Sequence, residues 1–136
     1  MNERGAIATL TLILAPVMLL AGGLAIDGGN ILAAKREAAA AADVAARAGA
    51  QALDTERLRA GAGPVLDPQA ATAAARSALA AGGHEGSVTV HGPRVTVTVQ
   101  ITTSLYVLGL AGLGSRTVSA QGTAEAVRGV SEADAP

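Results

Sequence analysis

His84, Glu85 and His91 are the residues whose types and spacing come nearest to a chemical site. Two imidazoles and a carboxylate are ligands that zinc accepts, but a zinc centre also needs a fourth ligand or water on a fixed scaffold. Here the sequence offers only a turn and the end of a strand to carry them. We interpret both histidines as ordinary surface residues and predict no metal site and no cofactor.

Two other chemical patterns are incomplete. The glycines of Gly109–Gly114 lie near the spacing of a phosphate-binding loop, but no lysine follows and no parallel βαβ unit surrounds them. The serines show no arrangement with His and Asp, and the chain has no cysteine to act as a nucleophile. The sequence therefore predicts that the protein is not an enzyme, and no small-molecule substrate is evident.

Composition restricts both the partners and the core. The chain of 136 residues has 10 Lys and Arg against 11 Asp and Glu. These charges are scattered, so no basic face is available for phosphates and we do not expect a nucleic acid partner. Tyr106 is the one aromatic residue, so the core must be built from Ala, Val and Leu.

The run from Gly5 to Ile26 carries no charged side chain. A bilayer core of about 30 Å requires roughly 20 apolar residues at the helical rise of about 1.5 Å. The run therefore predicts a transmembrane helix. The alternative is a secretory signal cleaved near Ala25, behind the basic Arg4, which would release a soluble binding domain. The apolar run exceeds the usual length of a signal core, which favours a signal anchor.

Helical character continues after the predicted span. Residues 27–53 are rich in Ala, with Gly49 the one glycine between Asn30 and Leu53. Small residues recur at four-residue steps, which lets another backbone approach closely. This stripe predicts packing against other helices through Ala38, Ala42, Ala46, Gly49 and Ala50. The alternative is that its alanines only reflect composition, because the whole chain is rich in Ala.

The C-terminal half predicts a small α+β domain. Residues 54–66 resemble a loop, and Asp67-Pro68 begins a second helix that ends at Gly82-Gly83. Alternation of apolar or small residues with polar ones predicts strands at 87–91, 94–103 and 116–126, in a mostly antiparallel three-stranded sheet. Between the last two strands, residues 104–114 predict a short helix or loop lying on the sheet or the membrane. The predicted domains are residues 1–4, 5–26, 27–53 and 54–128, followed by a disordered tail at 129–136.

The N-terminal half resembles the TadE/TadG-like proteins of the tight-adherence (Flp, type IVc) pilus system. The resemblance rests on the run AADVAARAGA from Ala41 and on residues whose order and spacing match the family pattern: Arg4, Gly5, Pro16, Asp27, Gly28, Asp43 and Gly49. It implies a pilin-like, single-span accessory component of pilus assembly, with pilin-like helices and Tad assembly proteins as partners. Prepilin processing places Glu five residues after the cleaved Gly, but Leu10 holds that position after Gly5.

The expected location is the cell membrane, with residues 1–4 in the cytoplasm and the α+β domain outside it. Asp27, at the exit of the span, then has two interpretations. It is either a solvated boundary in the headgroup layer or a partner for a basic group on a neighbouring subunit. The sequence alone leaves both open.

Overall fold

The computed structural model describes residues 3–61, 65–110, 112 and 114–126, without the side chains of residues 3, 4 and 6. The predicted disordered tail at 129–136 lies outside these residues. In chain order the elements are α1 (Glu3–Ala50), α2 (Thr55–Arg59), α3 (Pro68–Ala81), β1 (Gly86–His91), β2 (Arg94–Ser104), α4 (Val107–Leu110) and β3 (Ser115–Glu125). This confirms the predicted α+β class with a long N-terminal helix and a three-stranded sheet.

The chain divides into two compact units. The first unit comprises Met1–Ala34 and Thr102–Thr117, and the second comprises Lys35–Ile101 and Val118–Pro136. Each unit thus combines a part of α1 with strand residues that are distant in sequence. The domain boundaries predicted from the sequence remain predictions.

Helix α1 continues through residues that often interrupt helices. Pro16 and the pair Gly28-Gly29 both lie inside it. The helix ends at Ala50, three residues before the predicted end, because the chain there enters a turn. Ala52 N–H donates to the Gly49 carbonyl at 3.1 Å.

The segment predicted as a loop, residues 54–66, also contains the short helix α2. Asp54 caps it, because its Oδ1 accepts from the Glu56 and Arg57 amides at 3.1 Å each. The segment is closed at its base by an antiparallel bridge between Leu53 and Leu66. Its charges and glycines predicted a loop, and the capping role of Asp54 was missed.

Helix α3 begins and ends where the sequence places it. The Asp67 Oδ1 accepts from the Gln69 and Ala70 amides at 2.9 and 3.1 Å, and Pro68 occupies the first turn, where its missing N–H is not needed. Gly82 is the C-cap residue. Ala71, Ala75 and Leu79 form its buried face.

The sheet has the strand order β1, β2, β3. Strands β1 and β2 pair antiparallel, from Gly86 opposite Val99 to His91 opposite Arg94. Gly92 has φ +57° in the two-residue turn between them, which suits a turn with glycine at its first central position. Side-chain contacts of β2 with β3 follow an antiparallel register, from Arg94 with Glu125 to Thr102 with Thr117.

The core of the second unit lies between α1, α3 and one face of β2. Val95, Val97 and Val99 are fully buried, as their alternation with threonine predicts. They pack with alanines of both helices and with Leu66 and Leu79. Because the chain has no Phe or Trp, most of this core consists of small side chains that bring backbones close together.

Candidate functional site: the apolar part of helix α1 and the Asp27 contact

The N-terminal part of α1 exposes large apolar side chains around its circumference. Each of the following is more than half exposed: Ile7, Leu10, Leu12, Ile13, Val17, Met18, Leu19, Leu20, Leu24 and Ile26. A helix on the surface of a water-soluble domain carries a polar face instead. By length and composition, α1 is the one helix among the described residues that could cross a membrane.

Two threonines within this apolar stretch have their hydroxyl groups paired. Thr9 Oγ1 donates to the Gly5 carbonyl and Thr11 Oγ1 to the Ile7 carbonyl, both at 2.9 Å. In hydrocarbon an unpaired hydroxyl is costly, and a bond to the carbonyl four residues back removes most of that cost. The polar atoms of this segment are therefore compatible with an apolar surrounding.

Asp27 is fully buried and holds a segment almost eighty residues away. Its Oδ1 accepts from the Tyr106 amide at 2.8 Å, while its Oδ2 accepts from the Val107 and Leu108 amides at 3.0 and 2.8 Å. These amides lie at the start of α4, where a helix has no internal acceptors for its N–H groups. Asp27 therefore caps α4 from another part of the chain.

The three hydrogen bonds favour the ionised carboxylate. Asp27 lies just beyond the predicted span, and the Leu108 amide contributes most to holding the pKa of its carboxyl below the ordinary value. Burial opposes this shift, while the Tyr106 and Val107 amides add to it. Neither sequence interpretation anticipated this contact: Asp27 is not a solvated boundary, and its bonding partners are in its own chain.

The α4 loop, here residues 105–110, 112 and 114, also contacts α1 one turn before Asp27. Gly23 is buried against the Val107 side chain, which occupies the space where a Cβ of residue 23 would lie. Closer to the N-terminus, an apolar groove is lined by Pro16, Leu19, Leu20, Val107 and Leu110. The contacts therefore follow one face of α1 from Asp27 towards Pro16, because residues 16, 20, 23 and 27 recur at helical spacing.

The stripe predicted to meet other helices lies in the core of the second unit. Ala38, Ala42 and Ala46 are fully buried there, Gly49 is buried and Ala50 is partly buried. A Cβ on Gly49 would lie 3.0 Å from both the Ala71 carbonyl oxygen and Val95 Cγ1. The small residues thus allow close packing by this chain's own α3 and sheet, and their contact with partner helices remains a prediction.

Gly122 allows the sheet to approach α1 closely. A Cβ at this position would overlap backbone atoms of Ala42 and Asp43. The sequence predicts only that residue 122 lies in the strand at 116–126. Its position opposite a buried alanine explains why that strand has no side chain at this point.

The other residues of the family pattern have simpler surroundings. A Cβ would meet nothing within 4 Å at Gly5 or Gly28, and the Arg4 side chain lies outside the described residues. Asp43 is exposed. Arg47 Nε donates to the Asp43 backbone carbonyl at 3.2 Å.

The histidines do not converge. His84 Nε2 lies 3.9 Å from Glu37 Oε1, whereas His91 lies at the far end of β1 opposite Arg94. His84 lies just before the start of β1 at Gly86, and His91 lies at its other end. Five residue steps along the strand correspond to roughly 17 Å. Within the described ranges, no three His, Cys, Asp or Glu side chains are grouped as metal ligands would be.

Comparison with known proteins finds a similarity in the N-terminal part of the chain. Residues 5–52, about a third of the sequence, match the family model described as "Putative Flp pilus-assembly TadE/G-like". The matched segment nearly coincides with α1. No curated protein and no solved structure matches the chain.

Proposed function

Because residues 5–52 match a TadE/G-like family model, we propose that the protein is a membrane-anchored, minor-pilin-like accessory component of the Tad (Flp) pilus. The family match itself supports a pilus-related role, and this family is one of pilus assembly and not of enzymes. The observation that carries the finer proposal is the coincidence of the matched segment with a helix that exposes large apolar side chains between Ile7 and Ile26.

In this proposal residues 5–26 cross the membrane, residues 1–4 lie in the cytoplasm and the second unit lies outside. The proposal predicts that Leu58→Cys, on the exposed helix α2, reacts with a membrane-impermeant maleimide in intact cells. The chain has no native cysteine, so all labelling reports this position. Labelling only after lysis would reverse the proposed orientation.

The partners are pilin-like helices and Tad assembly proteins. The small-residue stripe remains a predicted contact, and exposed positions of α1 such as Leu24, Ala40 and Val44 are also accessible to partners. Single cysteines at these positions should cross-link to a pilin-like protein in native membranes. Ser119→Cys, exposed on β3, is the control that should give no such adduct, and absence of every α1 adduct would refute the proposal.

The second candidate is a secreted soluble binding domain, released by cleavage near Ala25. The sequence Gly23-Leu24-Ala25 favours it, but the surroundings of these residues support retention. Release there would remove Gly23 from its contact with Val107 and would leave Asp27 next to a new terminus.

Intact mass of the native protein distinguishes the candidates. A product starting at Met1 supports the anchor, whereas a product starting near Ile26 supports the secreted domain. A start at Ala6 would indicate pilin-type processing after Gly5 and would keep the membrane helix. The mass is measured on protein taken separately from the membrane fraction and the medium.

A further inference from the structure

We propose that the α4 loop is a second membrane-inserted element, which enters the outer leaflet beside α1 and contacts lipid acyl chains through Leu110. This inference rests on the proposed function, because it takes residues 5–26 as the membrane span. It assigns a lipid-binding surface to a loop that the family match does not cover. Three observations support it: depth, side-chain character and the pairing of backbone polar groups.

The depth of the loop follows from its contacts with α1. Leu110 and Val107 line one groove with Pro16, Leu19 and Leu20. At about 1.5 Å per residue, Leu19 lies roughly 12 Å and Pro16 roughly 16 Å below the level of Asp27 along the helix. If Ile26 marks the membrane boundary, the groove lies within the outer half of a hydrocarbon core about 30 Å thick.

The side chains of the loop suit that depth. No charged residue occurs between Leu105 and Gly114. Leu110 is 90 % exposed, which is costly in water but favourable in lipid. Tyr106 is 71 % exposed at the Asp27 end of the loop, where the span reaches the headgroup layer that tyrosine prefers.

Backbone groups decide whether a non-helical segment can enter hydrocarbon. Such a segment is tolerated only where its N–H and C=O groups have protein partners or line a water-filled cavity. Asp27 satisfies the amides of Tyr106, Val107 and Leu108. Leu105 N–H donates to the Gly114 carbonyl at 3.1 Å, and Gly112 N–H to the Gly109 carbonyl at 3.0 Å. In this proposal Asp27 therefore lowers the polar cost of inserting α4, because it pairs three amides at the start of that helix.

Fluorescence quenching in vesicles tests the proposal on the full-length chain. Leu110→Cys is labelled with an environment-sensitive fluorophore and reconstituted in phosphatidylcholine and phosphatidylglycerol vesicles whose acyl chains carry bromine. We expect severalfold stronger quenching by brominated lipid than for Leu58→Cys, the matched leucine on α2. We expect the opposite order for the aqueous quencher acrylamide.

Leu12→Cys separates the failure of this proposal from failure of the proposed function. Leu12 is 76 % exposed on α1, at a level below the groove. If the Leu12 label is quenched by lipid and the Leu110 label is not, the anchor stands and the insertion of α4 is refuted. If neither label is quenched by lipid, the anchor itself fails.

Protein contacts give a further distinguishable result. A Leu110 label that is shielded from acrylamide yet insensitive to brominated lipid would indicate a second copy of the chain on this surface, and would overturn the proposal. The native Tyr106 provides a label-free repetition, since the chain has no other aromatic residue. Its emission should be quenched most strongly by bromine placed near the headgroup.

Discussion

The two parts of helix α1 differ in which side chains they expose and which they bury. Between Ile7 and Ile26 its large aliphatic side chains are exposed, whereas between Lys35 and Ala50 the buried positions are alanines and Gly49. In a water-soluble domain the large side chains would be inside, because burial of apolar area is the main favourable term in folding. The contrast teaches that the two parts suit different surroundings: an apolar one, which the proposed membrane would provide, for the first, and a closely approaching sheet and helix for the second.

The largest effect is expected where the sheet and α1 approach closely and a glycine is replaced by a larger residue. We expect Gly122→Val to destabilise the second unit by about 3 kcal/mol, because its side chain would overlap the backbone of α1 at Ala42 and Asp43. Unfolding of the full chain in detergent micelles, followed by circular dichroism, measures the change. Gly29→Val is the control, since a Cβ there meets nothing within 4 Å. An equal loss in both variants would show that close approach is not the cause.

Matched truncations compare the two parts directly. Val97→Ala removes fully buried methyl groups from the core and should cost about 2 kcal/mol. Leu12→Ala removes more atoms from an exposed position and should change the unfolding free energy by less than about 0.5 kcal/mol. The same micelle unfolding experiment gives both values. A large loss for Leu12→Ala would mean that the exposed part of α1 has a protein partner within the chain.

Loss of a helix cap should have a moderate effect. Asp67→Ala leaves the Gln69 and Ala70 amides without their acceptor and should lower the unfolding free energy by about 1 kcal/mol. Asp67→Asn, which keeps an acceptor oxygen, should retain most of the stabilisation that the cap provides. If both variants matched the parent protein, the cap would not contribute to the stability of α3.

The Asp27 contact should give the most local effect. In Asp27→Ala we expect severalfold faster hydrogen exchange at the amides of residues 106–108, with little change in the second unit, because three donors lose their acceptor. In Asp27→Asn the exchange rate of these amides should lie between the rates in Asp27→Ala and in the parent protein, since the side-chain amide oxygen can replace only one carboxylate oxygen. Asp43→Ala, at an exposed position of the same helix, controls for loss of charge. Unchanged exchange in Asp27→Ala would show that these bonds do not form in the membrane.

Local patterns predicted the elements of this protein because each element depends on neighbouring residues. Alternating Val and Thr placed β2 and its buried face, and Asp67-Pro68 placed the start of α3. The uncharged run Gly5–Ile26 likewise required an apolar surrounding or burial. In the same way Asp54 could have revealed α2, had its capping role been weighed above the charged residues that follow it.

Contacts between distant residues were decided only by the tertiary structure. Nothing near Asp27 in the sequence indicates that its acceptors serve the amides of Tyr106, Val107 and Leu108, because every non-proline residue carries an N–H. A stripe of small residues likewise permits close approach without stating which backbone approaches, and here α3 and the sheet fill it. The sequence determined where each segment is apolar, small or capped, whereas the fold determined which of those surfaces meet within the chain.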